Sequence, residues 1–196
     1  MLIYIIFGVF LLFVFAYYFA FEYCRYKTAK MLADELGGRA VFRIGRSYMK
    51  RDQDGMEERA WVVPDDKMAW GSILSASTPP LGMLFLQRAA APVFRFYIEP
   101  KTGTLLRSIS FGSLKDADFN VSHLDENLRL RTNNHAEAAA YFSALKNQQA
   151  LVALFLAGFT QLKGDHGAIV ATMKGISAED CSPEKVNRHL KHLRSF

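Results

Sequence analysis

Between Met1 and Glu22 the chain reads LIYIIFGVFLLFVFAYYFAF, with no charged residue and no proline. A helix rises ~1.5 Å per residue, so about twenty such residues cover the ~30 Å hydrocarbon core of a bilayer. A helix also closes its own backbone hydrogen bonds where water is absent. Residues 1–24 are therefore read as a retained transmembrane anchor. A cleavable signal needs a basic leader, a shorter apolar core and small residues at the cut. Here only Met1 precedes the run, and Tyr17, Tyr18, Phe19 and Phe21 crowd its end. A lipoprotein signal would place small residues before its cysteine, whereas Phe21, Glu22 and Tyr23 precede Cys24.

Orientation follows from the cations. Arg25, Lys27 and Lys30 come directly after the run and no Lys or Arg comes before it. The positive-inside rule then predicts a single-pass protein of the cell membrane, with its N-terminus outside and its C-terminal part cytoplasmic. Arg39, Arg43, Arg46, Lys50 and Arg51 continue the bias, offset only by Asp34 and Glu35, within a formal net charge of +5. Anionic lipid attracts such a segment by ~1 kcal/mol per cation near the surface. Anionic head groups are thus expected partners. Nucleic acid is not, because no aromatic or Gly-rich RNA motif accompanies the cations. Cys24 and Cys181 lie too far apart for a disulfide framework and suit a reducing compartment.

The remainder of the 196 residues suffices for one domain with a sizeable core. Residues 25–38 carry Ala29, Leu32, Ala33 and Leu36 at helical spacing before Gly37-Gly38, which predicts a helical stalk continuing the anchor. Residues 39–196 read as an α+β domain, a mostly antiparallel sheet with helices packed on one face. Its expected strands include 39–49 and 57–63 around an Asp54-Gly55 turn, and a hairpin over 92–111 turning at Pro100-Lys101-Thr102-Gly103. Shorter strands are expected at 127–131, 159–162 and 168–173. The uncharged stretch 69–87 reads as two short strands flanking Pro79-Pro80, with an interfacial loop as the alternative. Asn134 is the expected cap of a helix through Lys146 that packs Ala138, Tyr141, Phe142 and Leu145. A second helix from Gln148 looks buried all round, and Ser182-Pro183-Glu184 opens a last one.

No stretch carries a motif that names a reaction. Phosphate loops, dinucleotide fingerprints and nucleophile elbows are missing, so no catalytic residue, cofactor site or metal site is assigned. His189 and His192 share a helical face but lie among Lys185, Arg188, Lys191 and Arg194, whose field opposes a metal cation. Both are read as surface side chains. His123, His135 and His166 are read as solvated, and the paired acids Asp125/Glu126 and Glu179/Asp180 as turn and cap residues. The cations of the last helix join Arg25, Lys27 and Lys30 as candidate membrane-surface residues. The function expected is a non-catalytic cytoplasmic domain for protein–protein interaction, as an accessory subunit of a membrane complex. The alternatives are a membrane-surface enzyme with a spatially assembled site and a lipid or small-ligand binding domain using 69–87.

Overall fold

The computed structural model describes residues 2–64, 81–89, 92–101, 114–165 and 167–196. Helix α1 (Leu2–Leu36) runs unbroken for 35 residues. Its N-terminal stretch is long and apolar enough to cross a membrane, and no residue of its most apolar window is buried. Its C-terminal turns belong to the domain core, because Ala29, Leu32 and Ala33 are 0–2% exposed. Those positions recur at three and four residues, so one stripe of the helix meets the sheet. The helix then closes on Gly37, whose φ of 72° favours glycine, while Gly38 N–H donates to Ala33 O at 2.9 Å. The chain reverses there and returns beside α1.

Among the described residues nine strands form one sheet, β1 (Arg39–Val41), β2 (Tyr48–Gln53), β3 (Met56–Pro64), β4 (Leu81–Ala89), β5 (Phe96–Pro100), β6 (Lys115–Ala117), β7 (Leu128–Thr132), β8 (Phe159–Asp165) and β9 (Ala168–Lys174). Their spatial order is β1-β2-β3-β4-β9-β8-β5-β7-β6, and every neighbouring pair is antiparallel. The register aligns one continuous row of directly paired apolar residues. It runs Ala40, Met49, Ala60, Leu86, Ala171, Leu162, Ile98, Leu130 and Ala117. Side chains alternate between faces along a strand, so this row fixes which face of every strand is the core face.

Helices α2 (Ser122–Asn127), α3 (His135–Ser143), α4 (Leu145–Leu156) and α5 (Pro183–Leu193) follow the early strands. Phe142 of α3 anchors an aromatic cluster, meeting Phe96 edge to face at 5.1 Å and Phe119 at 5.6 Å. Val186, Leu190 and Leu193 give α5 a fully buried stripe. Together with the end of α1 these elements make the α+β architecture that the pattern of periods predicts.

Several local expectations are corrected. The strand read over 39–49 is split by a turn, so β1 and β2 pair with each other before β2 pairs with β3 across Asp54-Gly55. β5 pairs with β7 along its length and with β8 over Phe96–Ile98, and the return strand of the expected hairpin, 104–111, lies outside the described residues. Of the two strands read over 69–87, the one after Pro79-Pro80 is β4, nine residues long and running on to Ala89, while the portion up to Pro80 lies outside the described residues. Asn134 does cap α3, accepting from Glu137 N–H. That helix stops at Ser143 because Ala144 turns extended, with ψ 125°, and α4 starts at once. The same break swings Leu145 out to 67% exposure. Helix α4 is amphipathic and not buried all round: Leu151 and Leu154 are enclosed while Leu156 is 84% exposed.

Candidate membrane interface and buried charge cluster

Two features stand out where α1 meets the sheet, one beside the apolar run and one a further three turns along the helix. Next to the run, Arg25 Nη1 donates to Glu22 Oε1 at 2.7 Å, and the guanidinium lies 4.5 Å from the centroid of the Phe21 ring. Glu22 is buried and Arg25 half-buried, so this pair is a local fixture of the helix. Lys27 and Lys30 are exposed. Because the chain reverses at Gly37, β1 climbs back along α1 and places the Phe42 ring edge-on to Tyr26, centroids 5.8 Å apart.

The second feature is a row of charges on the core face of the sheet. Arg51, Glu58 and Arg88 are direct cross-strand partners on β2, β3 and β4. Glu58 is fully buried, and Arg51 and Arg88 are 7% and 5% exposed. Arg51 Nε donates to Glu58 Oε2 at 2.7 Å, and Arg194 binds both carboxylate oxygens, at 2.7 and 3.1 Å. The rest of the Arg51 fork donates to Leu36 O, at the end of α1, and to Asn187 Oδ1 on α5. Arg88 reaches the Leu193 carbonyl at 3.4 Å. Burial alone would raise the Glu58 carboxyl, but the hydrogen bonds from Arg194 and Arg51 outweigh it and hold the group below the usual carboxylate range. One buried carboxylate therefore ties the sheet, the end of α1 and the end of α5 together.

The other candidate cations of α5 have acidic neighbours. Lys185 Nζ lies 3.2 Å from Glu179 and 3.3 Å from Asp180, and Arg188 pairs with Glu184 at 3.1 Å. Lys191 is exposed. The fold does not bring Arg194 to Arg25: its partners lie level with Leu36, roughly 20 Å along α1 from Phe21.

His189 departs from its surface reading. It sits inside the stripe formed by Val186, Leu190 and Leu193, is 7% exposed, and meets Phe159 edge to face at 5.1 Å. Burial first, and then the charges of His192 and Arg188, pull its imidazole down to about 4. Burial likewise pushes the Cys181 thiol up to about 12. The acids behave as cap residues. Asp125 accepts the N–H groups of Phe119 and Val121 at 2.7 and 3.0 Å, and Asp180 accepts Ser177 N–H at 2.9 Å. His166 is outside the described residues. Among the described residues no group of three His, Cys, Asp or Glu side chains is placed to hold a metal ion.

The charge row escaped the sequence reading, yet its signal was present. Glu58 is in phase with Ala60 and Val62, so an inward carboxylate was implied by the strand itself. Arg194, distant in sequence, gave no such hint. No protein family model, no curated protein and no solved structure matches the chain.

Proposed function

We propose that this chain is a single-pass protein of the cell membrane, with its N-terminus outside, whose cytoplasmic domain binds other proteins as a non-catalytic accessory subunit. The observation that carries the reading is the continuity of α1. The helix that is apolar enough to span enters the domain core without a break, through Ala29, Leu32 and Ala33. Such a domain is held rigidly on the spanning helix close to the bilayer, as suits a docking subunit better than a flexibly tethered enzyme. The perturbed groups support the same reading. Glu58 and Asp180 are engaged in structural hydrogen bonds, and His189 and Cys181 are packed in the core. Lys27 and Lys30 remain free to meet anionic head groups beside the span.

The test is affinity capture of the full chain from gently solubilised membranes, paired with a reporter fused after Phe196. A protein partner recovered in constant ratio, with the reporter cytoplasmic, is the expected result. Recovery of the correctly inserted chain alone would overturn the subunit reading. Labelling of the C-terminal reporter from outside intact cells would overturn the orientation.

A further inference from the structure

The turn joining β1 to β2 holds apolar side chains that the fold leaves largely exposed. Arg46 N–H donates to Arg43 O at 3.0 Å and Gly45 has φ 79°, which makes Arg43–Arg46 a type II turn with Ile44 at its outer corner. Ser47, 1% exposed, braces the turn with its hydroxyl against the Arg43 backbone. The Arg46 guanidinium anchors it from the other side, 4.0 Å from the centroid of the Trp61 ring. Turn corners ordinarily take Pro, Gly, Asn, Asp or Ser. Here Ile44 is 71% exposed and Phe42, just before the turn, 53%. One exposed apolar residue is ordinary, but two on a braced turn with Arg43 between them form a directed feature.

Its place relative to α1 supplies the direction. The Phe42 ring packs on Tyr26, a little over one helical turn beyond Phe21, or roughly 7 Å. The polar layer on each side of a bilayer is about 5–8 Å deep, from its ~30 Å core and ~40–45 Å total. Phe42 thus stands at the outer edge of that layer when α1 spans. The chain enters the turn while still heading toward the apolar run, and each further extended residue adds up to ~3.4 Å. That carries Ile44 toward the boundary between head groups and acyl chains.

We infer that the β1–β2 turn is a second membrane contact of this chain, with Ile44 and Phe42 entering the interfacial layer of the bilayer crossed by α1. Arg43 on the turn and Lys27 on α1 supply cations at head-group depth, which favours an anionic lipid surface as the occupant. The inference rests on reading α1 as a span. It adds a second anchoring point, set to one side of the helix axis.

The full chain in liposomes of mixed zwitterionic and anionic lipid tests it, in a Cys24→Ser background where Cys181 is buried. An environment-sensitive fluorophore is attached in turn to Ile44→Cys, Leu12→Cys in the span and Asp54→Cys at the far β2–β3 turn. The Ile44 label should be quenched by shallow lipid-borne nitroxide and should be several-fold less accessible to aqueous iodide than the Asp54 label. The Leu12 label should be shielded from iodide altogether. A shielded Leu12 label with an Ile44 label as open as that at Asp54 would overturn the inference and leave the span standing. An iodide-accessible Leu12 label would overturn the span reading, and the inference with it.

Discussion

Arg194 holds both carboxylate oxygens of Glu58, at 2.7 and 3.1 Å, across 136 positions of sequence. Arg51 fills the remaining side of the same fully buried group at 2.7 Å. Taking a carboxylate out of water costs several kcal/mol, and only a well-formed partner set repays it. Removing the carboxylate charge would leave two guanidiniums facing each other without it. Glu58→Gln should therefore destabilise the protein by about 3–5 kcal/mol. Urea unfolding of the full chain in micelles checks this, and a loss under about 0.5 kcal/mol, as for an ordinary surface change, would contradict it.

Acid should weaken the fold through His189. In the unfolded chain its imidazole titrates near 6.5, whereas in the folded domain it is held down to about 4. Between those values the unfolded state takes up a proton that the folded state refuses, so stability falls as pH falls. The loss should approach about 3 kcal/mol by pH 4. Glu58 and Asp180, both depressed, begin to cost stability only below their ordinary values of 4.5 and 3.8. Thermal melts at pH 7, 6 and 5 should decline in the native chain and stay nearly level in His189→Leu. Parallel declines in both would assign the effect elsewhere.

Gly164 is required by the ring beside it. A Cβ built there would lie 2.1 Å from Cε1 of Phe96, which is itself fully buried. Neither strand can shift without moving the paired row. Gly164→Ala should cost about 1–3 kcal/mol by overpacking. Trimming the ring in the double variant Gly164→Ala/Phe96→Leu should recover part of that, and a double variant showing simple additivity would argue against the clash.

The two faces of α4 should answer differently to truncation. Leu154 is 1% exposed and Leu156 84% exposed. Leu154→Ala should cost about 2–5 kcal/mol and Leu156→Ala under about 0.5 kcal/mol. Equal midpoints in denaturant for the two variants would mean that Leu156 is covered in the intact protein.

The comparison of expectation with structure separates local rules from tertiary ones. Asn134 over Glu137, Ser182 before Pro183 and Asp54-Gly55 between β2 and β3 act through neighbours in sequence, and each is legible there. The break at Ala144 is also local, but its cause is not. Phe142 must enter the aromatic cluster on the sheet while Leu151 and Leu154 face the core from the next helix, and no single helix direction serves both. Strand order was hidden for the same reason, since β5 has partners from the second half of the chain on both sides. The proposed membrane contact beside the apolar run was read from the sequence only as cations. Its apolar part was not, because Phe42 and Ile44 fitted the alternation of a continuous strand and only the turn at Gly45 sets them apart.

The passage of α1 into the core also has a mechanical side. A span adjusts its tilt to bilayer thickness and to neighbouring helices. A hinged domain would ignore such changes, but here the buried turns around Leu32 make helix and sheet one lever. Nine strands at ~4.8 Å spacing extend about 40 Å sideways, so a tilt of about ten degrees would move the far strand by roughly 7 Å. With α1 inserted as proposed, the thickness of the surrounding lipid becomes a variable that the opposite edge of the sheet, at β6, can register.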